Sequence, residues 1–197
     1  MTLLDRLIQA LEAEHVHISD LIAGDRDHFS DDGPDLVDAA VLVAFTDRPE
    51  PGIILTQRPQ TMRKHAGQVA FPGGRVDAED QSLVAAALRE AEEEIGLNPH
   101  LAQIVGVADQ YRTVTHYRVT PVLAVIPPDL EFVANDGEVE AVFEVPAQFL
   151  FDPANHQRQT VQWEGQDRSY HEMHWEDRRM WGATAAMIVN LSKRLKW

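Results

Sequence analysis

Between Leu88 and Leu97 the sequence reads Leu-Arg-Glu-Ala-Glu-Glu-Glu-Ile-Gly-Leu, which crowds four glutamates into five positions. Apolar residues around them recur at helical spacing, and the pattern predicts a helix from about Asp80 to Ile95 that stops at Gly96. At about 100° per residue, Glu94 stands about +40° and Glu93 about −60° from Glu90, so three carboxylates share one sector. Val84, Leu88, Ala91 and Ile95 fall between about 100° and 160° and form a stripe to bury. Glu92, at about 200°, lies outside the carboxylate group. Like charges on one helical face repel, and something must offset that repulsion.

Hard divalent cations take oxygen ligands, and magnesium typically uses one or two carboxylates plus substrate phosphate and water. Two neighbouring features favour this over a merely solvated acidic face. Gly73-Gly74 permits tight turn geometry and close backbone approach to a ligand. Arg89 can hold a carboxylate through its planar fork. The chain carries 17 Lys plus Arg against 32 Asp plus Glu, a formal net charge of −15. That balance disfavours general nucleic-acid binding, which needs cationic side chains to replace phosphate counterions, and it leaves any anionic ligand in need of local cations. With no cysteine, a disulfide framework, a thiolate zinc site and a thiol nucleophile are excluded, which is compatible with a cytoplasmic location. The opening residues mix Asp5, Arg6, Glu12 and Glu14 with their leucines, unlike a signal peptide, and no later run is long enough to span a bilayer; no membrane partner is expected.

The 197 residues fit one domain with a small appendage. Leu3, Leu4, Leu7, Ile8 and Leu11 predict an amphipathic helix over about 3–14, and the acidic stretch from Gly24 to Asp38, broken by Gly33 and Pro34, reads as a loop. Strands are expected at Ala39–Thr46, Ile53–Arg58, Gln68–Phe71, Ala102–Val107, Arg118–Ile126 and Ala141–Val145, with a last helix over about Ala183–Leu195. Strands and helices that do not strictly alternate indicate an α+β or mixed-sheet fold. The expected division is a helical extension and loop over 1–35 and the main domain over 36–197.

The segment Arg89-Glu90-Ala91-Glu92-Glu93-Glu94-Ile95-Gly96-Leu97 resembles the second half of the Nudix hydrolase box, Gly-x5-Glu-x7-Arg-Glu-U-x-Glu-Glu-x-Gly-U, where U is bulky and apolar. Small Ala91 stands at a U position, and the first half departs. Counting back puts Gln81 at the Glu position and Arg75 at the Gly position, so Gly74 is one residue early, with Asp80 or Glu79 to replace the missing Glu. Upstream, Ile54-Leu55-Thr56-Gln57-Arg58-Pro59 leads through Arg63 to Gly67-Gln68-Val69-Ala70-Phe71-Pro72-Gly73-Gly74. This is similar to the longer signature of the coenzyme A diphosphatase branch, with Ile54 for Leu and Pro59 for Ser. Tyr117–Pro121, Glu138–Pro146 and Trp181–Ala185 resemble later segments of that branch.

The resemblance implies a Nudix fold, a mixed β-sheet sandwiched between α-helices, with the box at about 74–97. It also implies hydrolysis of the diphosphate of coenzyme A or its derivatives, to 3′,5′-ADP and 4′-phosphopantetheine or its acyl form. Glu90 and Glu94 would bind Mg²⁺ or Mn²⁺ most directly. Glu93 is a third ligand or the base, Glu138 competes with it as base, and a Gly73 or Gly74 carbonyl adds an oxygen. Arg89 orders the carboxylates. Arg58 and Arg63, the head of a basic cluster that continues into Lys64 and His65, are the phosphate contacts. The alternatives are another nucleoside diphosphate derivative such as ADP-ribose, or a nucleotide-sensing module without hydrolysis. The partner is a small nucleotide, and a homodimer is left open. His15, His17, His171 and His174 read as surface or loop residues, His116 as a weak substrate contact, and Trp175, Trp181 and Phe149 as core or interface rather than an adenine clamp.

Overall fold

The computed structural model describes residues 1–13, 21–25, 36–62, 65–163 and 166–197, the side chains of 163 and 166 excepted. His15, His17, Arg63, Lys64 and most of the acidic stretch 24–38 lie outside the described residues. The first half of the fold runs α1 (Leu3–Glu12), β1 (Val37–Thr46), β2 (Gly52–Gln57), β3 (Val69–Ala70), β4 (Gly73–Arg75) and α2 (Leu83–Ile95). It continues with β5 (Gln103–Val107), β6 (Tyr111–Arg112), β7 (Tyr117–Ile126), β8 (Ala141–Pro146) and α3 (Ala147–Phe151). The last elements are β9 (Gln157–Trp163), β10 (Gln166–Trp175), β11 (Arg178–Trp181) and α4 (Ala183–Leu195).

Val37–Thr46 is a near-continuous apolar run, the pattern of a strand covered on both faces. It lies at the centre of a mixed sheet ordered β3-β2-β1-β7-β5, with β4 on β1, β6 on β7 and β8 on β2. The β1–β7 pair is parallel, from Val37 opposite Tyr117 to Thr46 opposite Ile126, and the other pairs are antiparallel. Alternation sends Val41, Val43 and Phe45 into a core shared with α1 and α4, and Ala40, Leu42 and Ala44 into a second core under α2. Ala86, Ala87 and Ala91 meet Ala40 and Ala44 in that second core, and their small side chains let the helix settle close to the sheet. The sheet is thus sandwiched between helices, the α+β arrangement expected.

The amino-terminal segment is fastened to this body. Thr2 and Asp5 cap α1 reciprocally, and Leu3 and Leu7 are buried. The Asn190 side-chain amide brackets Ile22, accepting its N–H at 2.8 Å and donating to its carbonyl at 2.9 Å. Asp25 accepts from the Tyr111 hydroxyl at 2.6 Å and the Val114 N–H at 2.7 Å.

Three features differ from the sequence expectation. Helix α2 begins at Leu83 rather than near Asp80, because Ser82 is its cap, accepting from the Ala85 N–H at 3.1 Å, and Asp80 is engaged with Arg89. The buried sector of α2 is wider than the stripe, since Ala86 and Ala87, at about −40° and +60° from Glu90, are fully buried. The carboxylate sector therefore turns toward the sheet. Strands β9, β10 and β11 form an antiparallel three-stranded arm, which places His171 and His174 on a strand rather than in a loop. The arm is rooted by Met173 and Met180, both in the α1/α4 core. Among the described residues no helix is long and apolar enough to cross a membrane.

Candidate active site

Glu94 sits one turn past Glu90 on α2 and is only 4% exposed. Its Oε2 accepts the Gly73 N–H at 3.1 Å. Burial raises its pKa from 4.5 to about 7; the Gly73 N–H and the Arg58 charge oppose that rise, and the Glu90 and Glu138 carboxylates add to it. Glu90 is likewise pushed up, first by burial, against the pull of Arg89 and with the help of Glu93 and Glu138. Its carboxylate leans on Gly74: a β-carbon there would stand 2.5 Å from Glu90 Oε2. The double glycine so serves two ends, the first presenting its N–H to Glu94 and the second leaving room for Glu90.

Arg89 is the hub beside this pair. It holds Asp80 bidentately at 3.0 and 2.9 Å and the Arg75 carbonyl at 3.1 Å. The same guanidinium donates to Glu90 at 2.9 Å and to Glu93 at 3.1 Å. Of the two acids near the displaced glycine, Asp80 is the one that pairs with Arg89; it also accepts the Asp77 N–H at 2.8 Å. With every arm of its fork engaged by the chain itself, Arg89 acts as a positioning residue. Asp80→Asn keeps the shape but removes the charge that anchors Arg89. We expect kcat to fall about 10-fold, in the range typical of residues that orient metal ligands, with the melting temperature and kcat measured together.

The remaining candidates approach from three other segments. Arg58 follows the end of β2, with its N–H on the Gln68 carbonyl at 2.9 Å and its carbonyl accepting from the Gly67 N–H at 3.1 Å. Its Nε is enclosed without a hydrogen-bond partner. Glu138 is exposed and follows a loop stapled to the end of α2, where the Asn135 N–H meets the Glu94 carbonyl at 2.9 Å. Glu93 points outward, its side chain 57% exposed and pinned to Arg89. Arg63 and Lys64 lie outside the described residues, and the His65 ring meets Gln68 Oε1 at 2.8 Å. The structure thus brings Glu90, Glu94, Gly73, Gly74 and Arg89 into contact, with the Arg58 and Glu138 charges acting on Glu94 from the side.

These residues fit a hard divalent cation. The donors are all oxygens, the two inner carboxylates are desolvated and pushed toward the protonated form, and Gly74, lacking a β-carbon, makes room for the Glu90 carboxylate. Among the described residues no group of three or more acidic or histidine side chains forms a complete metal cage. The electrostatics predict a pH signature. The folded pKa of Glu94, about 7, exceeds its ordinary 4.5, so this group's contribution to stability is fully present below about pH 4.5 and is lost as pH rises through 7. In chelator, wild type should lose melting temperature between pH 5 and 7.5 relative to Glu94→Gln, by on the order of 5 °C. Added Mg²⁺ should restore it at pH 7.5, through binding to the folded state alone. Parallel melting curves for the two proteins would contradict the assignment.

The NUDIX domain family model matches residues 36–164. The uncharacterized Nudix hydrolase NudL of Escherichia coli O7:K1 is 44% identical over 157 residues, covering 80% of this chain and 82% of that protein. NudL of Shigella boydii serotype 4 matches with the same identity and coverage. Among solved structures, the Nudix hydrolase RenU from M. smegmatis aligns with a TM-score of 0.51 at 21% identity, over 61% of this chain and 83% of that one. A MutT/nudix family protein from Enterococcus faecalis aligns at 0.50 and 15% identity, over 83% of this chain and 63% of that one. The structural matches speak to the fold; the family model and the 44% identity reach further, and by them this chain belongs to the Nudix family of hydrolases.

Proposed function

We propose that this Nudix hydrolase cleaves the diphosphate of coenzyme A or a derivative of it, releasing 3′,5′-ADP and 4′-phosphopantetheine or its acylated form. The observation that carries the reading is that two parts of one signature, Arg58 and Gly73-Gly74, act on the carboxylates of the acidic helix. Arg58 acts on the Glu94 charge and the Gly73 N–H bonds that carboxylate. A substrate with a bridging diphosphate and a further phosphate needs this juxtaposition of guanidinium and metal-binding acids. In this reading Glu90 and Glu94 hold Mg²⁺ or Mn²⁺, with a Gly73 or Gly74 carbonyl as a further oxygen ligand. When bound, the ion polarises phosphoryl oxygens, makes a water more acidic and stabilises charge on the departing phosphate.

The chain's own groups supply the rest. Arg58 neutralises the phosphate that faces it. Arg63, the second phosphate contact that the resemblance implies, lies outside the described residues. Arg89 keeps Glu90 turned inward by tying it to Asp80. The proton from the attacking water goes to Glu138, whose carboxylate is exposed and can pass it to solvent. Glu93 is the weaker base, since its Oε2 already accepts from Arg89. The working compartment is the cytoplasm, in keeping with a chain that has no cysteine.

Coenzyme A, its disulfide, acetyl-coenzyme A and ADP-ribose incubated with Mg²⁺ and resolved by chromatography test the substrate. We expect 3′,5′-ADP from the coenzyme A compounds, at kcat/KM values at least about 10-fold above that for ADP-ribose, the factor a lost charge-assisted contact of about 1.4 kcal/mol gives. Turnover of ADP-ribose with coenzyme A left intact would assign the site to the other nucleotide class.

A further inference from the structure

The arm formed by β9, β10 and β11 carries an aromatic surface that the diphosphate chemistry leaves unused. Trp181 is 39% exposed, so of the two sequence readings, core or interface, the core one does not hold. The Arg179 guanidinium lies over its ring at 5.3 Å and over the Tyr170 ring at 5.9 Å, and the two rings meet edge to face at 6.1 Å. Arg179 is itself fixed. It ion-pairs with Glu172 and donates to the Tyr170 hydroxyl at 2.9 Å, while Gln159 donates to the other Glu172 oxygen at 3.1 Å. A flat, cation-backed ring system is thereby held rigid at the surface.

Its position follows from strand alternation. Strand β11 lies against β3, and the Thr184 hydroxyl ties the start of α4 to the Val69 carbonyl at 3.0 Å. Val69, Met173 and Met180 all enter the α1/α4 core, so Arg179 and Trp181, which flank Met180, face the other way. Four residues at about 3.3 Å each put Val69 within about 13 Å of Gly73. Through β3, the arm therefore neighbours the segment that carries the diphosphate site.

From this geometry we infer that Trp181, backed by Arg179 and edged by Tyr170, is the platform on which the nucleobase of the substrate stacks. The inference rests on the reading of the site as one for a nucleoside diphosphate derivative. Every base offers a π-face, and an indole with a guanidinium behind it suits a flat ring. A flexible apolar chain would want an apolar groove, whereas the neighbours of Trp181 on this face are Arg179, Glu172, Tyr170 and Gln159.

The test compares coenzyme A with a base-free analogue, pantetheine 4′-diphosphate bearing a methyl ester in place of adenosine. In Trp181→Leu we expect KM for coenzyme A to rise about 10-fold with kcat within about twofold, in line with the loss of one stacked base. Trp181→Phe should recover most of the affinity, KM for the base-free analogue should be the same in all three proteins, and melting temperatures control for folding. Unchanged KM for coenzyme A in Trp181→Leu, or an equal rise for the base-free analogue, would overturn the platform. Fluorescence separates this from failure of the substrate reading. With adenosine 3′,5′-bisphosphate, wild type should show saturable tryptophan quenching that Trp181→Phe lacks, whether or not any diphosphate is turned over. Quenching that persists unchanged in Trp181→Phe, or no saturable quenching in wild type, counts against the inference.

Discussion

Glu90→Gln is expected to lower kcat by about 10³-fold in a metal-replete assay, about 4 kcal/mol of transition-state stabilisation. The fold should survive. Glutamine has the same size, so the gap at Gly74 still receives it, and Arg89 keeps both bonds to Asp80 and its bond to the Arg75 carbonyl. Because burial disfavours the Glu90 charge, a neutral side chain should leave the melting temperature of the metal-free protein unchanged or slightly higher. The variant should also lose most of its Mg²⁺-induced thermal shift. Near-normal turnover at saturating metal would remove Glu90 from the reaction, and with it the assignment of this helix face.

Gly73→Ala and Gly74→Ala should fail in opposite ways. At Gly73, φ is +152°, and a β-carbon would stand 2.4 Å from the Ala40 carbonyl oxygen and 2.6 Å from Val41 Cα. Those atoms belong to β1, which is locked to β7 over ten paired positions and cannot give way. A loss of about 3 kcal/mol or more in urea unfolding is expected, from backbone strain and steric clash together. At Gly74 the obstruction is the far end of the Glu90 side chain, which can swing aside. Stability should change by less than about 1 kcal/mol, while kcat falls about 10²-fold through a displacement on the order of 1 Å. An inactive but fully stable Gly73→Ala would show that β1 yields there.

Much of the scaffold could be read in the sequence because the central elements are unambiguous. Strands β1 and β7 are long apolar runs, and α4 carries Ile188, Leu191 and Leu195 at helical spacing. The convergence of Glu90 and Glu94 follows from 3.6 residues per turn. Their unequal burial does not. Glu94 is enclosed because its side chain turns toward the sheet on the same sector as fully buried Ala86 and Ala87 and meets the Gly73 N–H, and no local pattern announces that packing. The role of Asp80 was visible only as one of two acids near a displaced glycine; the Arg89 fork decides between them. The arm escaped notice because Gln157–Trp163 and Gln166–Trp175 put polar groups on most positions of both faces, so the period of two never shows in hydrophobicity. The platform reading of Trp181 is accordingly a product of tertiary structure.

Asp38 and Arg118 face each other across the central parallel pair yet stand 80 residues apart in the chain. Closing so long a loop before its contacts form slows the search, and no shorter piece contains both halves of the seam. A ribosome must therefore emit past residue 126 before β1 can pair with β7. Until then the acidic helix can rest on β1 and β4 alone, without β7 beneath it. The last side of its floor should consequently be laid late in synthesis.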